Sequence, residues 1–227
     1  MRILVVNPNT NKSATDFIRK EAEKIASPDI EIVAVTAPSG PIELVTPEDT
    51  ERAGEVVLGV ISEHQNEIDG AITAAYSDPG LARAREAFSF PIVGIGESSM
   101  KEVARISNRF VIISGNPHNE SIYRGFAEQY AVTDKLTNIR FLAKHDSEAD
   151  RKGRHDSPSD RETHLAALVE ECKRVVGENQ ADAIVIAGGP SAGLATEVSR
   201  DVSIPVLDCV GCAVQRIERW LRTGSPD

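Results

Sequence analysis

The chain has 227 residues, 41% hydrophobic and 26% charged, enough to bury the core of one large domain or two small lobes. Its formal net charge of −10 argues against a nucleic-acid or anionic membrane partner, and no segment approaches the ~20 apolar residues of a membrane span. Three cysteines without a secretion signal favour reduced thiols and a cytoplasmic location, and the isolated Cys209-x-x-Cys212 pair predicts no metal site.

In the first half of the chain, short apolar runs alternate with segments of helical periodicity. The apolar runs predict buried parallel strands, and Thr46 before Pro47 is typical of a helix start. A proline- and glycine-containing loop at 38–41 could cover a site. The predicted strands are 2–6, 30–35, 71–75 and 91–95, and the predicted helices are about 13–25, 47–61, 81–88 and 97–106.

The same alternation restarts at residue 109, which predicts an α/β fold of two similar lobes. Each lobe is expected to be a roughly four-stranded parallel sheet flanked by helices, and the lobes are expected to be related by pseudo-twofold symmetry. We predict strands at 109–113, 139–143, 183–187 and 205–207, helices at about 118–129, 161–176 and 213–221, and a mobile charged segment at 144–160. The predicted first lobe is 1–98 plus 205–227, and the predicted second lobe is 99–204.

One stretch in each half repeats without a gap. Residues 69–82 (DGAITAAYSDPGLA) align with residues 182–195 (DAIVIAGGPSAGLA). Each stretch contains an acidic residue, an apolar strand, a loop of small residues and a Gly-Leu-Ala helix start. Because ligands of parallel α/β sheets bind beyond the carboxyl ends of the strands, these two loops are predicted to form two walls of one site.

Two further strand-to-helix loops, at 7–11 and 114–118, are expected at the same edge. Backbone N–H groups and helix N-termini in such loops suit a carboxylate or imide oxygen of a small-molecule substrate. No phosphate-binding loop is present, because Gly94-x-Gly96 alone is a weak signal, and no cofactor is expected. The residues predicted to bind substrate are Asn7, Asn9, Thr10, Ser114, Gly115, Gly188, Gly189, Pro190 and Ser191.

Four segments together resemble hydantoin racemases of the aspartate/glutamate racemase superfamily. They are Val-Asn-Pro-Asn-Thr at 6–10, Ser-Asp-Pro-Gly-Leu at 77–81, Pro-Ile-Val-Gly-Ile-Gly-Glu at 91–97 and Val-Ile-Ala-Gly-Gly at 185–189. The resemblance spans nearly the whole chain. It implies a cofactor-independent enzyme in which two cysteines, one per lobe, remove and return an α-proton on opposite faces of the substrate. It assigns these cysteines to Ala75 and Gly188, the same pair that the internal repeat aligns.

Neither alanine nor glycine can carry a proton, so neighbouring polar side chains become candidates. Asp78 could act as a general base if burial raised its pKa, and Ser77 or Ser191 could act as a nucleophile only with a base in reach. Simpler roles stay open: a helix cap for Asp78, Ser191, Glu97 and Asp208, a pocket roof for Tyr76, and a surface loop for His118. The predicted catalytic residues are Asp78, Ser77, Tyr76, Glu97 and His118.

Three functions fit these features. The resemblance implies a racemase or isomerase acting on a small hydantoin-, ureide- or amino-acid-like substrate. A hydrolase or lyase in the same pocket would open a ring or remove a carboxylate, because one scaffold supports changed reactions. A non-catalytic ligand-binding protein would fit the absence of both cysteines directly. The resemblance also implies a homo-oligomer.

Overall fold

The first lobe of the computed structural model, which describes residues 1–142 and 158–225, is a parallel sheet in the order β2-β1-β3-β4. Its central strand β1 is buried after Arg2, because the run Ile-Leu-Val-Val is apolar on both faces. The strands are β1 (Arg2–Asn7), β2 (Glu31–Thr36), β3 (Gly70–Thr73) and β4 (Ile92–Gly94), and the helices are α1 (Lys12–Ile25), α2 (Pro47–His64), α3 (Leu81–Ala87) and α4 (Ile95–Ile106).

The second lobe repeats this arrangement as a parallel sheet in the order β6-β5-β7-β8. Two 3-10 turns, Pro117–Asn119 and Gly189–Ser191, follow β5 and β7. The strand predicted at 139–143 begins earlier, at Leu136, and ends at Phe141. Residue 143 lies outside the described residues. The strands are β5 (Phe110–Ser114), β6 (Leu136–Phe141), β7 (Ala183–Ala187) and β8 (Val206–Asp208), and the helices are α5 (Glu120–Gln129), α6 (Pro158–Gly177), α7 (Ala195–Val198) and α8 (Cys209–Thr223).

The two sheets have the same strand order when each is numbered from its own first strand. The prediction of an α/β fold with two similar four-stranded lobes is therefore confirmed. Most of the predicted mobile segment lies outside the described residues, although 158–160 form the first turn of α6. None of the described helices is long and apolar enough to cross a membrane.

The lobes interlock through their last helices. β8 pairs with β7, with Ile184 opposite Val206, so residues 206–208 belong to the second sheet and not to the first lobe as predicted. α8, however, returns to pack on α1, β3 and β4 of the first lobe, and α4 packs on β7 and α5 of the second. One hydrophobic cluster runs from Ile72 in β3 to Val185 in β7, so burial of apolar surface stabilises the two lobes together.

Candidate active site

A cavity of about 490 Å³ lies where the loops after β1, β3, β5 and β7 meet. This is the carboxyl edge of both sheets, where ligands of parallel α/β folds bind. Two further segments also line it: the 42–45 part of the loop after β2, and the beginning of α6. Of the residues predicted from sequence, those lining the cavity are Asn7, Asn9, Ala75, Tyr76, Ser77, Ser114, Gly115, His118, Gly188, Gly189, Pro190 and Ser191.

Asp78, which the sequence predicts as a candidate general base, does not line the cavity. Its carboxyl group turns towards the start of α4, where Oδ1 accepts the N–H of Gly96 (2.9 Å) and Oδ2 accepts the N–H of Glu97 (2.6 Å). Burial raises the pKa of Asp78 to about 8, and the two N–H donors oppose this rise. The residue has a positive φ of 45°, so this turn aims the side chain at the helix and away from a ligand.

Glu97, which the sequence predicts as a candidate catalytic residue, is also absent from the cavity wall. Its side chain is 5% exposed and lies 2.6 Å from Arg85, 3.7 Å from Lys101 and 3.9 Å from Arg216. Arg85 in turn stacks over Trp220 of α8. A buried carboxylate with cationic neighbours on α3, α4 and α8 ties these helices together.

Thr10 likewise does not line the cavity. Both its backbone N–H (3.0 Å) and its Oγ1 (3.2 Å) donate to the carbonyl oxygen of Pro41. These bonds fasten the loop after β2, whose next residues, 42–45, line the cavity. Glu43 in that loop accepts a bond from Asn116 Nδ2 of the second lobe (2.7 Å). Thr10 therefore acts on the covering loop rather than on a ligand.

The loop after β1 is held by its own amide side chains. Asn7 is buried, and its Nδ2 donates to Asn9 Oδ1 (3.0 Å), to the carbonyl of Asn11 (3.0 Å) and to Thr15 Oγ1 (2.9 Å). Asn11 caps α1 by accepting the N–H of Ala14. The Asn-Pro-Asn-Thr-Asn sequence thus fixes the loop shape and presents Asn7 and Asn9 at the cavity edge.

The first wall of the cavity is the turn 75–77. Tyr76 is buried, its ring packs edge-on against Tyr123 at 4.8 Å between centroids, and its hydroxyl accepts a bond from Ser99 (3.2 Å). Burial raises the pKa of Tyr76 well above its ordinary value, so the phenol is protonated at neutral pH. No described residue accepts a hydrogen bond from the backbone N–H groups of Tyr76 and Ser77, which leaves them available to a ligand.

The second wall is the turn 188–191, which follows β7. Gly188 has φ 111°, a backbone conformation that favours glycine. A Cβ built there would meet only Pro190, at 3.9 Å. Ser191 is 4% exposed and its Oγ lies 2.8 Å from Nε2 of His164 on α6. Its side chain caps neither the 3-10 turn nor α7, so the helix-cap alternative for Ser191 does not hold.

His164 is a site residue that the pattern of strand-end loops does not predict, because it lies on a helix. The signal was present as helical spacing: Asp160, His164 and Ala167 are one turn apart on α6 and all line the cavity. Leu168 and Cys172 of the same helix are buried in the core of the second lobe. Asp160 and His164 thus continue the buried row of Leu168 and Cys172 towards the start of α6, on the face that reaches the cavity.

No thiol lines the cavity, although all three cysteines lie in the described part of the chain. Burial raises the pKa of Cys172 to about 12 and raises those of Cys209 and Cys212 as well. Cys209 is buried, 1% exposed, at the start of α8. Within residues 1–142 and 158–225, no three His, Cys, Asp or Glu side chains could hold a metal ion.

Comparison with known proteins agrees with this architecture. Residues 3–217 match the family described as Asp/Glu/hydantoin racemase. The hydantoin racemase of Pseudomonas sp. (strain NS671) is 30% identical over 225 residues, 99% of this chain and 87% of the relative, and that of Paenarthrobacter aurescens is 26% identical over 99% and 92%. The allantoin racemase structure from Klebsiella pneumoniae superimposes with a TM-score of 0.87 at 29% identity, covering 99% of this chain and 89% of that one. The chain belongs to the Asp/Glu/hydantoin racemase family.

Proposed function

We propose that the protein is a cofactor-independent isomerase that moves the α-proton of a small cyclic ureide or amide of the hydantoin type. The observation that carries this proposal is a cavity of about 490 Å³ between two walls that repeat the same sequence pattern, one from each lobe. That volume is within the range of small-molecule sites. Two similar proteins, a hydantoin racemase and an allantoin racemase, support a ring of this class.

The chemistry asks the site to stabilise negative charge and to move one proton. Removal of the α-proton leaves an electron pair that is delocalised onto the neighbouring carbonyl oxygen. The backbone N–H groups of Tyr76 and Ser77 are suitable donors to that oxygen in a desolvated cavity. Return of a proton to the opposite face of the same carbon then inverts the centre, so atoms and charge balance without a cofactor.

The proton carriers in this proposal are not thiols. Ala75 and Gly188 occupy the positions that the resemblance assigns to cysteine, and the three cysteines of the chain lie outside the cavity wall. Hydroxyl and imidazole groups at the walls therefore take over, as general acid–base groups with reachable protons. Among the groups of this kind that line the cavity are Ser77 on the first wall and the bonded pair of Ser191 and His164 on the second.

The test is α-proton exchange. Single enantiomers of 5-substituted hydantoins, of allantoin and of free amino acids are incubated with the protein in deuterium oxide, and the α-proton signal and the optical rotation are followed. Loss of the α-proton signal together with decay of the rotation is the expected result. Unchanged signal and rotation across the panel would overturn the proposal.

The second candidate function is ring-opening hydrolysis in the same cavity. The observation that favours it is the 2.8 Å contact between Ser191 Oγ and His164 Nε2, a hydroxyl with a base in reach. This reaction adds one water across the ring C–N bond and leaves a carboxylate and an N–H group on the same opened product, which mass spectrometry of the same incubations detects as the added mass of water. Ligand-dependent thermal stabilisation without exchange or ring opening would identify a binding protein instead.

We also propose that the protein works in the cytoplasm as a homo-oligomer. Support for the cytoplasm comes from the three cysteines, which are expected to be reduced thiols. Support for the homo-oligomer comes from the family resemblance. Light scattering coupled to size-exclusion chromatography gives the mass in solution, and a mass of 24.5 kDa would contradict the oligomer.

A further inference from the structure

We propose that Ser191 and His164 form the proton-transfer pair of the second wall. This inference rests on the proposed function and assigns its second-wall chemistry to two residues. Ser191 exchanges its hydroxyl proton with the α-carbon of the substrate, and His164 replenishes or removes that proton. Gly188, which directly follows β7, cannot take this role because it has no side chain.

The geometry brings the pair together inside the cavity. Ser191 Oγ and His164 Nε2 are 2.8 Å apart, and both residues line the cavity. The imidazole also reaches the loop after β5, since its Cε1 lies 3.9 Å from the position of a Cβ on Gly115. The ring is therefore placed between the two second-lobe loops that border the ligand space.

The internal repeat explains why Ser191 is free for this role. Its counterpart in the first lobe is Asp78, which caps α4. In the second lobe the equivalent cap comes from Asp208, whose Oδ1 accepts the N–H groups of Val210 and Gly211 at the start of α8 (2.8 and 3.1 Å).

Asp208 also reaches back to the second wall, because its Oδ2 accepts the N–H of Gly193 (2.8 Å). The strand registers place Gly94 opposite Thr73 and Asp208 opposite Ile186, so Gly94 and Asp208 are equivalent positions. The acidic residue that caps the next helix thus lies at a different position in each lobe. In the first lobe it occupies the turn, and in the second it occupies the strand end and leaves the turn with a serine that faces the cavity.

The proton step balances as follows. The α-proton passes to Ser191 Oγ while the Ser191 hydroxyl proton passes to Nε2 of neutral His164, leaving a substrate anion and an imidazolium. In the reverse direction the imidazolium returns its proton to Oγ as the hydroxyl protonates the carbon. No bond other than C–H, O–H and N–H changes, and no further reactant is consumed.

The decisive experiment follows exchange of each pure enantiomer separately in deuterium oxide. In His164→Gln and in Ser191→Ala, exchange of the enantiomer whose α-proton faces the second wall should fall by about 10²–10⁴-fold. Exchange of the other enantiomer should continue with retention, because it uses the first wall. The double variant should lose no more than either single variant, since residues that act as one unit are not additive.

Ser191→Cys supplies a second, independent readout. A thiol beside His164 should restore exchange of the affected enantiomer and make that exchange sensitive to iodoacetamide, whereas exchange by the wild-type protein should not be, because no cysteine lines its cavity. His64→Gln and Ser199→Ala are matched controls: His64 bonds the carbonyl of Val60 within α2, and Ser199 bonds the carbonyl of Ala195 at α7. Neither control residue lines the cavity.

Equal loss for both enantiomers, additive losses in the double variant, or no loss would overturn the assignment of the pair while the proposed function stands. Absence of exchange of either enantiomer by the wild-type protein would overturn both. A Ser191 acyl adduct on mass spectrometry, together with ring-opened product, would also overturn the proton-transfer role, because it would make Ser191 a nucleophile.

Discussion

Replacement of Gly94 by alanine should strongly destabilise the protein, although glycine adopts an ordinary negative φ there. A Cβ at position 94 would lie 2.1 Å from Cγ of Asp78 and 2.2 and 2.4 Å from its two oxygens. Real Cβ atoms do not approach this closely, so the buried carboxyl group has to move. Gly94 is therefore required by the side chain packed against it.

The magnitude follows from what the displaced carboxyl group leaves behind. The N–H groups of Gly96 and Glu97 lose their acceptor, at about 1–3 kcal/mol for each buried donor. Overpacking adds about 1–3 kcal/mol. We expect Gly94→Ala to lower the free energy of unfolding by at least about 3 kcal/mol, measured by urea unfolding with the fluorescence of the single tryptophan, Trp220.

A double-variant cycle isolates the cause. In an Asp78→Gly background, which tolerates the positive φ at that position, the additional cost of Gly94→Ala should shrink by about 1–3 kcal/mol. Gly59→Ala is the matched control, because a Cβ there meets nothing within 4 Å inside α2, and it should raise stability by up to about 1 kcal/mol. If Gly94→Ala were as stable as the wild type, or if it cost the same in both backgrounds, the clash with Asp78 would not be the cause.

Three further results are expected. Gly188→Ala should lower the free energy of unfolding by about 1–3 kcal/mol in urea titrations, because φ is 111° there; an unchanged midpoint would argue against the glycine conformation. The folded chain holds the Asp78 proton more tightly than the unfolded chain, whose ordinary pKa is 3.8. The contribution of Asp78 to stability is therefore greatest in acid and is lost as the pH rises through about 8. Asp78→Asn should flatten this part of the curve of unfolding free energy against pH. A slope equal to that of the wild type would count against the raised pKa. Glu43→Gln weakens the bond between Glu43 and Asn116, two residues that line the cavity. It should raise KM with little change in Tm, because the pair is exposed. A fall of several degrees in Tm would show a structural role instead.

The lobes and the place of the cavity could be predicted because local sequence determines them. Apolar runs specify parallel strands, the restart at residue 109 specifies the second lobe, and the strand order puts four loops at one edge. The position of a residue along a strand end is visible in the sequence, but the direction of its side chain is not. Asp78 and Ser77 are adjacent in the chain, yet Ser77 lines the cavity and Asp78 caps a helix on the other side of the turn.

Tertiary contacts, which the sequence pattern does not reveal, place His164 at the site. His164 reaches the cavity from the first half of α6, and only the packing of Leu168 and Cys172 into the second lobe fixes which face of that helix points inward. Gly94-x-Gly96 gave a weak nucleotide signal, whereas the structure shows that both glycines make room for the first-wall turn. A Cβ on Gly96 would lie 2.2 Å from the carbonyl oxygen of Tyr76.

In the proposed function, this cavity moves an α-proton without a thiol. The most direct measurement is α-proton exchange of a single-enantiomer 5-substituted hydantoin in deuterium oxide, with protein treated beforehand with iodoacetamide and with untreated protein. Because the three cysteines are buried and outside the cavity wall, we expect exchange at the same rate in both samples. Absence of exchange in both, or exchange that iodoacetamide abolishes, would contradict it.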